Sequence, residues 1–128
     1  MKILFVCSGN VARSQEAAAF YNELTESSDA QSAGTNAIIG KAIHPFVLQA
    51  MDEVGLDMAG TFRKALTLES IKKADLIVSF VPLDVIPASN FEGKQVLYWE
   101  VPDPRGGSID VQRQTRDDVR HLVEGLIA

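Results

Sequence analysis

The feature that most constrains this chain is its first apolar run. Ile3, Leu4, Phe5 and Val6 follow one another without polar alternation and are stopped at once by Ser8, Gly9 and Asn10. A short unbroken run of this kind suits a strand covered on both faces, as in a parallel sheet sandwiched between helices. It is too short for the apolar core of a signal peptide or for the ~20 residues of a membrane span, so the expectation is a cytoplasmic protein with no membrane partner.

The rest of the chain repeats the alternation. A helix is expected from Ser14, with Ala17, Phe20, Tyr21 and Leu24 at helical spacing, acids in its early turns, and an end at Ser27, Ser28 and Asp29. Residues 30–35 form a weaker strand candidate. Pro45 opens a second helix with Val47, Leu48, Met51 and Val54 on one face and Gly55 as its stop. A short helix over 67–73 leads into a strand at 75–80, and Pro82 and Pro87 then allow only a loop or a broken turn. Residues 95–100 read as the fourth strand. The final helix, 109–127, carries Val111, Thr115, Val119, Leu122, Val123 and Leu126 on one stripe. Strands alternating with helices predict an α/β fold with right-handed crossovers and helices on both faces.

Composition narrows the function. A chain of 128 residues with 46% hydrophobic content can bury one sufficient core without a disulfide or structural metal. The formal charge of -5 argues against a chain built to coat nucleic acid or an anionic membrane, both of which need a basic surface. The single cysteine, Cys7, excludes an internal disulfide and a paired-cysteine metal site. No metal or cofactor is called for.

That cysteine opens the segment Cys7, Ser8, Gly9, Asn10, Val11, Ala12, Arg13, Ser14, between a strand end and a helix start. Ligands of open α/β sheets bind at such places, where backbone N–H groups converge and a helix N-terminus adds partial positive charge. The same dipoles would stabilise a thiolate nucleophile. Arg13 offers a planar fork for two phosphoryl oxygens, Ser14 a hydroxyl for the sulfur, and Gly9 and Asn10 tolerate tight-loop backbone angles. A nucleotide P-loop is excluded, because its second glycine and its lysine are missing. Residues 7–14 are therefore the expected oxyanion site.

Phosphoryl transfer to a thiolate leaves an oxygen that needs a proton, and Asp103, between Pro102 and Pro104 after the fourth strand, is the candidate acid. His44 before Pro45 reads as a helix cap or surface group, and His121 as surface. Trp99 is expected in or beside the core. Arg113, Arg116, Asp117, Asp118 and Arg120 are expected to form a solvated helix face rather than a substrate patch.

Three groups of residues, Val6-Cys7-x-Gly9-Asn10-x-x-Arg13-Ser14, Ser32-Ala33-Gly34-Thr35 and Asp103-Pro104, resemble the low-molecular-weight protein tyrosine phosphatase superfamily, which includes thioredoxin-linked arsenate reductases. The resemblance spans nearly the whole chain. It implies one domain over 1–128, a three-layer sandwich around a four-stranded parallel sheet of order 2-1-3-4. It also implies a cysteinyl-phosphate on Cys7, phosphate held by the loop and Arg13, and Asp103 as acid and then base. Asn10 and Ser14 would hold the loop and the thiolate, with Ser32 in the supporting network.

Within the superfamily, Gln15 after Ser14, His44-Pro45, the segment from Met51 to Asp57, Tyr98-Trp99 and the Arg113-x-x-Arg116-Asp117 pattern look similar to the arsenate reductase branch. Arg105-Gly106 also stands where the phosphatase branch usually has aromatic residues. Yet the two relay cysteines of the thioredoxin-linked reductases are missing after the third strand, so reduction would need an external thiol. The first expectation is thus hydrolysis of aryl phosphomonoesters, on a phosphorylated protein or a small molecule. Alternatives are an arsenate reductase using an external thiol, and a non-catalytic sensor of phosphate or arsenate.

Overall fold

A computed structural model describes residues 1–84 and 87–128 of the chain. Its elements run β1 (Ile3–Cys7), α1 (Arg13–Thr25), β2 (Ala30–Gly34), α2 (Pro45–Asp52), α3 (Leu68–Lys73), β3 (Leu76–Ser79), a 3-10 turn (Ala88–Phe91), β4 (Gln95–Tyr98) and α4 (Ile109–Ile127). The strands form one parallel sheet in the order β2-β1-β3-β4. The expected fold class, order and alternation are all present. The expected loop across Pro82 and Pro87 includes residues 85 and 86, which lie outside the described residues.

Every residue of β1 is buried, and its side chains divide between two cores with a period of two. Ile3, Phe5 and Cys7 join the larger core, with Ala17 and Phe20 of α1, Val47 and Met51 of α2, and Val119 and Val123 of α4. Leu4 and Val6 join the smaller one, with Ile71 and Ala74. Burying a side chain such as Phe5 contributes roughly 1.5–3 kcal/mol, and doing so on both faces fixes the strand's register.

Because β2 lies on one side of β1 and β3 on the other, the chain reverses its winding direction beside β1. Such a switch point opens a crevice at the carboxyl ends of the strands. Cys7 pairs with Gly34 as the last residue of β1, which puts the sulfur at the foot of that crevice.

Three expectations need correction. Leu24 is 41% exposed and Val111 43% exposed; the buried stripe of α4 starts instead at Gln112 and continues through Thr115, Arg116, Val119 and Val123. Arg116 is therefore not part of a solvated face. Its Nη1 donates to the Ala50 carbonyl in the last turn of α2 and to Glu53, filling an acceptor that the helix end leaves open. Glu16 stands in the first turn of α1 as expected, and it is fully buried there.

Candidate active site

The loop after β1 owes its shape to Asn10, whose φ of 53° lies in the left-handed region that asparagine tolerates. Its side-chain oxygen accepts from the Lys64 backbone N–H at 2.7 Å and from Gln15 Nε2 at 2.8 Å. With the oxygen occupied, Asn10 Nδ2 donates to Ser14 Oγ at 2.8 Å. Ser14 Oγ in turn lies 2.9 Å from Cys7 Sγ. That hydroxyl accepts from Asn10 and can give its own proton to the sulfur. Each donor orients the next, and the series ends on the Cys7 sulfur.

Neighbouring segments hold the loop from below. The Cys7 and Ser8 carbonyls accept from the backbone N–H groups of Thr35 and Asn36. A Cβ at Gly34 would stand 2.6 Å from the Ser8 oxygen and 2.9 Å from the Asn10 nitrogen, so only glycine lets β2 approach this closely. Above the loop, α1 begins at Arg13 with Ala12 as its N-cap and no side-chain cap hydrogen bond. Its first N–H groups are consequently open to an anion.

Arg13 is 5% exposed, and its Nη1 donates to the carbonyls of Phe80 at 3.3 Å and Val101 at 3.0 Å. These two carbonyls, at the ends of β3 and beyond β4, fix the guanidinium plane. Nη2 lies 3.8 Å from Asp103 Oδ2. Asp103 is half exposed, and its Oδ1 accepts from the Arg105 backbone N–H, which locks the turn that carries it. The structure thus brings Asp103, from the segment after β4, to the Arg13 that lines the same cleft as Cys7.

A cleft of about 530 Å³ opens here, and of the loop residues Cys7, Gly9, Val11, Ala12 and Arg13 line it. Ser8, Asn10 and Ser14 do not; Asn10 and Ser14 are wholly buried behind the loop. Ser32 is buried on β2 but makes no side-chain hydrogen bond to the network among the described residues. Lys64 and Gln15 hold Asn10 in its place. His44 caps α2, its Nδ1 accepting from the Phe46 N–H, and also lines the cleft. Trp99 packs on Phe5 and Phe80, and His121 is exposed.

Four residues that the sequence did not single out for this site contribute to it, Lys64 among them. Arg63 and Gln112 line the cleft, and each has a buried polar atom, Nε and Oε1 respectively, with no partner among the described residues. Gln15 had been read only as a branch marker. Glu16 is buried with neither carboxyl oxygen partnered, and burial pushes its pKa up to about 8 against the opposing pull of Arg116 and Arg13. Among the described residues no group of three His, Cys, Asp or Glu side chains is placed to hold a metal ion.

A family profile described as Low molecular weight phosphotyrosine protein phosphatase matches residues 2–128. The chain belongs to that family. Its relatives within the low-molecular-weight phosphatase family have different activities. The Glutaredoxin arsenate reductase of Synechocystis sp. is 30% identical over 128 residues, covering 99% of this chain and 96% of the relative. The Protein-arginine-phosphatase of Bacillus subtilis is 31% identical over 142 residues, covering 98% and 94%. Among solved structures, a YwlE arginine phosphatase mutant with a phosphorylated active-site serine in place of cysteine matches with a TM-score of 0.87 and 30% identity, covering 98% of this chain and 93% of that one.

Proposed function

We propose that the chain hydrolyses phosphomonoesters with aryl leaving groups through a cysteinyl-phosphate. The observation that carries this reading is the convergence of Cys7 Sγ, hydrogen-bonded to Ser14, with the Arg13 guanidinium and the Asp103 carboxyl 3.8 Å from it. The Cys7 thiolate attacks phosphorus and the ester P–O bond breaks, while protonated Asp103 delivers its proton to the leaving oxygen. Water then attacks the phosphorus, Asp103 takes the water's proton, the S–P bond breaks, and phosphate leaves as the thiolate is regenerated. The uncapped N-terminus of α1 and the Arg13 fork stabilise the charge that builds on the equatorial oxygens.

Two features favour an organic ester over a bare oxyanion. The cleft has the volume of an organic-ligand pocket, and Val11, Ile38, Phe46 and Val47 give it an apolar wall suited to a ring. Support for the covalent step comes from the solved relative with phosphate on its active-site serine.

The second reading, arsenate reduction, is favoured by the similarity to a glutaredoxin arsenate reductase. Cys7 is the chain's single cysteine, so the two electrons that convert arsenate to arsenite would come from external thiols, which end as a disulfide. Parallel assays on one preparation decide between the readings. Aryl-phosphate turnover without thiol-dependent arsenite release supports the phosphatase, and the converse result overturns it.

A further inference from the structure

The chain carries more acid than base, 17 Asp plus Glu against 12 Lys plus Arg, yet Arg13, Arg63 and Arg105 all line its cleft, where the one carboxylate placed by an ion pair among the described residues is Asp103, beside Arg13. Arg13 is committed to the phosphoryl site and its two carbonyls. The other arginines outside the cleft have partners as well: Arg113 and Arg116 bind carboxylates, and Arg120 lies over the Phe20 ring. Arg63 and Arg105 make no ion pair among the described residues.

Each has a further mark of an unfilled role. Arg63 lines the cleft, and its Nε is buried without an acceptor among the described residues, which is unfavourable for a charged donor. The Arg105 guanidinium lies on the catalytic loop: its Nη2 is 3.4 Å from where a Cβ on Gly9 would stand. The turn that presents it is fixed, since the Arg105 N–H is bound by Asp103. The cleft of about 530 Å³ that both arginines line leaves room for a substituted ring beside them.

We infer that Arg63 and Arg105 receive a second anionic group, a carboxylate or a second phosphate, carried by the leaving group of the substrate. This rests on the phosphatase reading and names its substrate class: aryl phosphates with a further negative charge. A guanidinium-bearing leaving group would instead meet like charge at both residues.

The test compares kcat/KM for 4-carboxyphenyl phosphate and phenyl phosphate in wild-type protein and in the Arg63→Met/Arg105→Met double variant. The wild-type ratio should favour the carboxylated substrate by about tenfold or more, the scale of a charge-assisted pair, and fall toward unity in the double variant. A wild-type ratio near one, or a ratio unchanged in the variant, overturns the inference. If the double variant does not fold, Arg105→Met alone, at an exposed residue, gives the same reading. Calorimetric binding of (4-carboxybenzyl)phosphonate and benzylphosphonate needs no turnover. A tenfold preference for the former that is lost in the variant supports the second-anion site even if neither ester is hydrolysed, an outcome that would defeat the phosphatase reading alone. Equal binding overturns the site.

Discussion

Two sets of arginines in this protein have opposite surroundings. On α4, Arg113 donates to both oxygens of Glu53 at 2.7–3.1 Å and to Asp110, while Arg116 donates to Glu53, Asp117 and the Ala50 carbonyl. Around the cleft, the Arg63 and Arg105 guanidiniums make no ion pair among the described residues, and Asp103 holds Arg105 only by its backbone N–H. The paired set ties α4 to the end of α2, and neither of its arginines lines the cleft. Arginines whose donors are already filled hold helices together; arginines left unfilled beside a nucleophile are available to a ligand.

Variants on the cleft side should change chemistry and leave folding intact. The largest effect belongs to Cys7→Ser, which should reduce aryl-phosphate turnover by about 10⁴-fold or more, read by steady-state kinetics, with a far-ultraviolet spectrum like that of wild type. Asp103→Ala comes next, with a loss of about 10²–10⁴-fold for phenyl phosphate and a smaller loss for 4-nitrophenyl phosphate, whose leaving group needs less protonation. Activity within a few-fold of wild type on both would move the acid role to another residue.

Variants on the other side should alter stability and its pH dependence with kcat nearly unchanged. Glu16 lies between the two regions, and its folded pKa is raised from 4.5 to about 8 by burial. Between those values the unfolded state releases a proton that the folded state keeps, so stability is fully present below 4.5 and is lost as pH rises toward 8. Replacing it by Glu16→Gln should flatten that decline, giving a thermal midpoint several degrees above wild type at pH 8.5 and a similar one at pH 4. The smallest effect is expected for Glu53→Gln. Hydrogen bonding from Arg113, then from Arg116, holds the Glu53 carboxyl down from 4.5 to about 2. Its contribution is present above 4.5 and lost as pH falls through about 2, so the variant's deficit in thermal midpoint should shrink over that interval.

The proposed catalytic trio was legible because each member has a local signature: a cysteine ending a strand, an arginine opening a helix, an aspartate pinned between prolines. The strand order also followed once the family pattern was noticed. Val111 and Arg116 were misplaced for one reason. The α4 stripe was drawn through Val111, but the Pro104 carbonyl accepts from Gln112 Nε2 and the Ala50 carbonyl from Arg116, and these acceptors draw polar residues inward. Glu16 was unreadable because α1 alone would leave it in water. Ser32 was given a part in the loop network that Lys64 and Gln15 fill.

The sequence by itself determined the strand, the loop and the helix that place a thiol beside an anion-binding turn. Those interactions join residues within a few positions of one another, so spacing encodes them. Only the tertiary structure decided which charges were neutralised. Arg113 meets Glu53 across 60 positions, and Arg63 and Arg105 reach one cleft from segments distant in the chain, because charge pairing depends on distances in space that chain order does not record.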